Sequence, residues 1–360
     1  MPFCSGSGRA VDLLHQRETD DIINSHGKDH VAKKTAIIIG TGGMARHHMN
    51  AMTQIRGSEI CGLVEVAEDQ RQLTRNLFAE HGKACPPFYG TIRNLLAAQG
   101  TPDAAFINTP HKFHFENASD CLKAGIDVLV EKPMVINAAE ARKLIRLRER
   151  TERLLVVAFP GSLSPAVKKA KEMIAAGKLG RVSSVAGYVH QHWKSATVGK
   201  WRQDPEISGG GFLFDTGSHM INTVLDLIGQ DVVEVCALMD RCGTRVDINS
   251  TVSGRFRDGT MLSLAAAGDS MHCTSNVTIM GDEGILQTGI WGERLSFKPV
   301  KKGHFADVSY PRSKGVWEQF LKVRAGKQAN PCPPEVGLRF AKLMDMIRKS
   351  AETGKTVRSR

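Results

Sequence analysis

Short apolar runs alternate with amphipathic stretches over the first part of the chain. Ala36-Ile37-Ile38-Ile39 is continuously apolar, as a strand buried on both faces is. Similar runs at 60–64, 104–107, 127–130 and 154–158 predict further buried strands. Between them, periodicity near 3.6 predicts helices over 44–54, 68–81, 91–99, 114–124 and 138–151. Strands alternating with helices imply a doubly wound parallel sheet with right-handed crossovers, spanning 33–158.

The texture changes after residue 158. A helix is expected over 165–176, then strand-like runs at 182–192, 232–240, 250–256, 260–267, 277–280 and 285–288. Turn pairs such as Asp258-Gly259 and Glu283-Gly284 link them, and one helix, 218–227, interrupts them. This predicts an α+β domain, 159–333, with a large, mostly antiparallel sheet and helices on one side. A last helix over 334–352 is expected to pack back on the first domain, so that 334–360 closes the molecule. Residues 1–32 are polar and weakly patterned and read as an extension with one short helix near 11–16. The stretch 252–264 carries apolar residues at both alternating sets of positions, which predicts a covered outer face and a homo-oligomer, dimer or tetramer.

Composition narrows the class. A chain of 360 residues suits two domains, and 41% hydrophobic with 24% charged residues is ordinary for a globular protein. No apolar run reaches the ~18 residues of a membrane helix. The N-terminus lacks a basic start followed by an apolar stretch, so no secretory signal is expected. The eight cysteines are scattered and none forms CxxC, in keeping with a reducing, cytoplasmic setting. The net charge of +11 raises nucleic acid as a partner. However, the excess lies in separate helical stretches with no interleaved aromatic residues, which reads as solvated helix faces. Neither nucleic acid nor membrane is an expected partner; a basic field does favour an anionic cofactor or substrate.

Candidate chemistry begins at the first turn. Gly40, Thr41, Gly42, Gly43, Met44 and Ala45 form G-x-G-x-x-A between a buried strand and a helix, the context of a dinucleotide-binding Rossmann turn. Gly40 permits the tight turn, Gly42 lets pyrophosphate approach the backbone, and Ala45 allows close helix–strand packing. Glu65 ends the second strand, where an acid accepts ribose hydroxyls and repels a 2′-phosphate. NAD is therefore favoured over NADP, although Arg71 and Arg75 on the next helix could meet a 2′-phosphate. Ligands bind beyond the carboxyl ends of parallel strands. Two more pieces therefore face the cofactor crevice: Asn108-Thr109-Pro110-His111 with His114, and Glu131-Lys132-Pro133. His111 and His114 are equally readable as loop histidines.

A third piece follows three glycines, which would let the backbone pass close to a ligand. There Asp215 and His219 are spaced i, i+4 at a helix start and share a face. Trp193 and Trp201 are read as stacking on a ligand's face or as core. His190 and His192 share a strand face but lack the further ligands zinc needs, so no metal is expected.

These pieces, with the Trp201-Arg202 pair and Gly281-Asp282-Glu283-Gly284, resemble the glucose-fructose oxidoreductase / inositol dehydrogenase / rhizopine-catabolism (Gfo/Idh/MocA) family. The resemblance spans about 33–353. It implies an NAD(P)-dependent enzyme acting on one carbinol carbon of a sugar or polyol. Lys132 is then the active-site lysine, Asp215 a substrate-binding acid and His219 the general acid/base, with Trp201 and Arg202 near the cofactor. Ser162, His192 and Trp193 are expected on the substrate side with Lys132, Asp215 and His219. Histidine, with an ordinary pKa near ~6.5, suits proton removal from a hydroxyl, and lysine can steady the resulting alkoxide. The same fold also serves NAD-dependent glycosidases that oxidise a ring hydroxyl transiently, which stays open as an alternative. Many relatives carry an Arg-rich turn where this chain has Phe159-Pro160-Gly161-Ser162, so the identity of the sugar does not follow from the resemblance.

Overall fold

A computed structural model describes residues 34–55, 58–301, 303–313 and 315–359. The expected extension, 1–32, and its short helix lie outside the described residues. Six parallel strands form the first sheet: β1 (Lys34–Ile39), β2 (Ser58–Val64), β3 (Phe88–Tyr89), β4 (Ala104–Ile107), β5 (Asp127–Val130) and β6 (Leu155–Val157). Their order is β3-β2-β1-β4-β5-β6. The connecting helices are α1 (Gly43–Met52), α2 (Glu68–Glu80), α3 (Ile92–Gln99), α4 (His114–Lys123) and α5 (Ala138–Thr151). Ala36 to Ile39 and Ala104 to Ile107 are all 3% exposed or less, so both faces of the sheet are covered, as their unbroken apolar runs require. Asn137 caps α5 by accepting the Glu140 N–H at 2.9 Å.

Register then positions the site. Ile39 pairs with Val64 on one side and Ile107 on the other; Ile107 pairs with Val130, and Val130 with Val157. Gly40, Glu65, Asn108, Glu131 and Ala158 therefore stand in one row beyond the carboxyl ends. The strand order reverses between β1 and β4, which opens the crevice there.

The chain continues through α6 (Pro160–Leu163), α7 (Pro165–Ala175), β7 (Val182–His192), α8 (Trp193–Ala196), α9 (Pro205–Ser208), α10 (Phe212–Asp215) and α11 (Gly217–Ile228). Then follow β8 (Val232–Asp240), β9 (Asn249–Phe256), β10 (Met261–Ala267), β11 (Asp269–Gly281), β12 (Gly284–Thr288), β13 (Leu295–Pro299) and β14 (Ala306–Asp307). Helices α12 (Val316–Arg324) and α13 (Pro334–Thr353) and strand β15 (Val357–Arg358) end it. Strands β7 to β15 form one sheet, ordered β14-β13-β12-β11-β7-β10-β9-β8-β15 and antiparallel except for β7 with β10. The mostly antiparallel second sheet expected from the sequence is present.

Its two faces differ from expectation. Val252, Phe256, Leu262 and Leu264 are buried toward the helices, whereas Thr251, Ser253, Met261 and Ser263 are exposed. The outer set is thus mainly small and polar, with Tyr188, Leu238 and Met261 as its large apolar members. β11 begins well before the expected start at 277, because its first half is exposed and lacks apolar alternation. β13, α12 and the short helices of the second half were not legible for similar reasons of length or polarity.

Both C-terminal helices return to the first sheet. Trp317 of α12 stacks on Phe106 of β4 with ring centroids 6.0 Å apart, and Arg324 pairs with Asp127 and Asp103 at 2.8 and 3.1 Å. On α13, Phe340, Leu343, Met344 and Ile347 form one buried stripe. The helix packs on α5 and β6 and also on β8 and α11. Asp345 accepts the Ala138 N–H at 3.2 Å, and Ser350 Oγ accepts the Ala237 N–H at 3.0 Å. One helix thereby fastens the two sheets together. Among the described residues no helix is long and apolar enough to cross a membrane.

Candidate active site

The glycine turn meets the requirements of a dinucleotide. Gly40 has φ +79°, and a Cβ there would lie 2.9 Å from the Thr109 nitrogen. Only glycine fits that conformation and that approach. Gly42 and Gly43 face open space, and no side chain caps α1, so its first-turn N–H groups remain available to an anion. Glu65 folds back onto the turn: one oxygen accepts from Thr41 N and Oγ1 at 2.8 and 3.1 Å, the other from the Val66 and Ala67 N–H groups. Arg71 donates twice to the Glu65 carbonyl, and Arg75 pairs with Glu68. Asn108 Oδ1 is buried and has no partner among the described residues, at the strand end beside the turn. An open glycine turn, uncapped helix and orphaned acceptor in one crevice fit a nicotinamide dinucleotide.

The chemical centre is built around one carboxylate. Asp215 closes α10 and is 5% exposed. Its Oδ1 accepts from Lys132 Nζ at 3.0 Å; its Oδ2 accepts from Trp193 Nε1 at 2.9 Å and Arg202 Nε at 3.0 Å. Lys132 also donates to the Asp215 carbonyl at 2.9 Å. Burial opposes ionisation, yet Lys132, Arg202, His111 and the indole N–H hold the Asp215 carboxyl well below the usual carboxylate range. Arg202 lies over the Trp201 ring at 4.4 Å.

One turn further on, His219 is half-buried. Phe159 and Trp291 pack against its ring, with centroids 6.4 and 5.8 Å away. Nδ1 is buried without a partner among the described residues. Burial first, and then the Lys132 charge, push its pKa well below the ordinary 6.5, so the ring is neutral at neutral pH. A neutral imidazole beside a fixed ammonium can take a proton from a hydroxyl while the ammonium faces the oxygen left behind.

Several expected residues sit elsewhere than the sequence suggested. His114 lies between the Pro133 and Thr109 carbonyl oxygens, 2.8 and 2.7 Å from its two nitrogens, and thereby clips together the two loops of the cofactor crevice. Neither nitrogen is left for a ligand. His111 Nδ1 donates to the Ser208 carbonyl at 2.7 Å, and burial pushes the ring down to about 3, so it too is neutral framework. Its Nε2 faces Asp215 Oδ1 at 3.7 Å. Trp201 packs edge-on to His111 at 4.8 Å, so the Trp201-Arg202 pair joins the Asp215 cluster. Trp193 is core, 2% exposed, apart from its bond to Asp215. Ser162 is buried and accepts from Asn222 Nδ2 at 2.8 Å. His192 is exposed, two positions along β7 from His190, and directly precedes Trp193. No group of His, Cys, Asp or Glu among the described residues could hold a metal.

The third glycine before Asp215 serves the protein's own backbone. A Cβ on Gly211 would lie 1.9 Å from the Asp247 carbonyl oxygen, and Asp247 accepts the Gly211 and Leu213 N–H groups at 2.8 and 2.9 Å. Sequence reasoning missed His48, whose Nε2 lies 2.6 Å from Glu131 Oε1. Burial disfavours charge on Glu131, but His48, Lys132 and the Lys132 N–H hold its pKa below the usual value. The signal was present: a histidine one turn into α1 necessarily lies near the strand ends. Trp291 gave no such signal, being a lone aromatic in a loop.

Comparison with known proteins agrees with this geometry. Residues 34–159 match the family model described as an oxidoreductase family with an NAD-binding Rossmann fold, and residues 167–287 match the GFO/IDH/MocA C-terminal domain. The chain is 24% identical over 319 residues to Oxidoreductase P35 of Formosa agariphila, covering 86% of this chain and 97% of that one. It is 32% identical over 294 residues to the D-xylose 1-dehydrogenase (NADP(+)) of Hypocrea jecorina, covering 73% and 74%. Among solved structures, the aldose-aldose oxidoreductase of Caulobacter crescentus complexed with glycerol superposes with a TM-score of 0.78 at 21% identity. It covers 91% of this chain and all of that one, a likeness of fold.

The turn itself is testable. Gly40→Ala should weaken NADH binding at least about tenfold, since the new Cβ both strains a left-handed conformation and meets Thr109. NADH fluorescence titration reads the affinity, and circular dichroism checks the fold. An unchanged affinity in a folded variant would remove the turn from the cofactor site.

Proposed function

Because the chain belongs to the Gfo/Idh/MocA family of NAD(P)-binding oxidoreductases, we propose that it moves a hydride between a carbinol carbon of a sugar or polyol and nicotinamide. The observation that supports this most directly is the Lys132–Asp215–His219 cluster at the carboxyl end of β5, beside an open glycine turn. Bound nicotinamide supplies the hydride acceptor. The protein's own groups handle the oxygen and its proton. Hydride leaves a carbinol carbon readily only as the hydroxyl proton departs, and neutral His219 is the base that takes it. The Lys132 ammonium stabilises the negative charge developing on oxygen.

Asp215 takes three protein donors, so it positions Lys132, and Oδ1, which accepts only from Lys132, keeps a lone pair for a substrate hydroxyl. Its contribution is electrostatic preorganisation: the ammonium is already aimed before substrate arrives. Lys132→Ala and His219→Ala should each cut turnover about 100- to 10,000-fold while leaving NAD affinity close to wild type. Because the His219 pKa is lowered, the neutral base persists as pH falls through 6.5. The acid limb of kcat/KM for oxidation should therefore lie below 6.5. Stopped-flow NADH absorbance across pH tests both points; a near-fully active His219→Ala would assign the base elsewhere.

NAD is the proposed cofactor over NADP. The Glu65 carboxylate stands at the end of β2, where it opposes a 2′-phosphate, and Arg71 and Arg75 are already engaged with the Glu65 carbonyl and Glu68. The Hypocrea relative is named for NADP(+), so the preference needs its own measurement. Titrating each cofactor into the apoprotein should give tighter NAD binding; tighter NADP binding would overturn the assignment and implicate the two arginines.

The proposed assembly is a homo-oligomer. One face of the nine-stranded sheet carries the exposed Tyr188, Leu238 and Met261, and a second copy of the chain would cover them. Light scattering at micromolar concentration should report a multiple of the chain mass, and a single-chain species would count against it.

A further inference from the structure

The loop between β12 and β13 carries Trp291 to the His219 ring, and we propose that Trp291 is the specificity-determining platform on which the substrate's ring stacks. Cyclic pyranoses would then bind in preference to open-chain polyols. This rests on the sugar reading of the site given above.

Three observations carry it. First, the two rings meet at an angle: their centroids are 5.8 Å apart and their planes 59° apart, so indole and imidazole form two walls of one corner. A ring stacked on the indole presents its hydroxyls at its edge, toward His219. Second, Trp291 is half-buried while its neighbours Ile290 and Gly292 are buried. Third, the loop is fastened to the elements that carry the chemistry. Thr223, one turn after His219 on α11, donates to the Ile290 carbonyl at 2.8 Å. Ser164 Oγ donates to the Gly292 carbonyl at 2.7 Å, and Glu293 accepts the Trp291 N–H at 3.1 Å. The same helix therefore fixes the base and the platform relative to each other.

The physical chemistry of the platform is general. A pyranose has an apolar face of C–H bonds made partly positive by the ring oxygens, and the indole face is negative. A rigidly held aromatic gains contact at little cost in conformational freedom. An open-chain polyol offers no such persistent face.

The test compares wild type with Trp291→Ala and Trp291→Phe on D-glucose and D-xylose, against acyclic D-sorbitol, with NAD saturating. NADH titration of each variant checks that the cofactor site is intact. Expected is a KM for the pyranoses raised about tenfold or more by alanine, with kcat within about threefold, near-wild-type KM for phenylalanine, and an unchanged KM for sorbitol. An unchanged pyranose KM in Trp291→Ala overturns the platform and leaves the sugar reading standing. An equal rise for sorbitol overturns it too, as does a wild type that prefers sorbitol. A wild type that reduces NAD with none of these compounds overturns the sugar reading and the platform together.

Discussion

Two cations in the cleft share a single buried carboxylate. Lys132 comes from the end of β5, Arg202 from the segment before α9, and both close on Asp215 together with the Trp193 indole. Burying a charge without partners is prohibitive, whereas here the carboxylate has three side-chain donors and its own carbonyl also holds the lysine. Removing any one member leaves the others under-compensated in a dry place. The cluster is therefore less a set of separate contacts than one object, and it joins the first sheet to the helices above the second. It leaves a net positive charge, which suits an oxygen that becomes anionic during reaction.

For that object to be useful, its members must arrive at the same point from elements far apart in sequence. The parallel register of β1, β4 and β5 delivers the first half, since Ile39, Ile107 and Val130 end level with one another. The second half arrives on α10 and α11, anchored below by Asp247 against the Gly211 backbone. Between them stands α13, with Phe340 against both Phe159 and Phe214. Phe159 follows the first sheet and also touches His219; Phe214 directly precedes Asp215. The relative position of the two halves is thus set by aromatic packing immediately behind the reacting groups.

Much of this was legible in the sequence for a simple reason. Buried parallel strands need unbroken apolar runs, and a dinucleotide turn needs glycines at fixed spacing, so β1, β4, β5 and Gly40 announce themselves locally. Lys132, which the resemblance grouped with Asp215 and His219, bonds directly to Asp215, four residues before His219. What stayed hidden depends on distant partners. Nothing near His114 says that it will lie between two carbonyls, and nothing near Ser162 says that Asn222 will donate to it. The glycines before Asp215 signalled a close approach correctly, but for Gly211 the approaching group is the Asp247 backbone. Trp291 is the extreme case, since its position depends on Thr223 and Ser164 gripping its loop.

The distribution of unmet polar atoms follows the same division. The framework histidines His111 and His114, the carboxylates Asp215, Glu131 and Glu65, and the indole of Trp193 are all partnered within the protein. Among the described residues, the buried atoms left without partners include Asn108 Oδ1, just past β4, and His219 Nδ1 and Asn222 Oδ1, on α11. An orphaned buried group is costly unless something arrives to satisfy it. Asn108 follows β4 beside the glycine turn, and the His219 ring packs against Phe159 and Trp291. An orphaned acceptor beside a dinucleotide turn and an orphaned imidazole nitrogen on α11 are the kind of buried groups that a bound ligand satisfies.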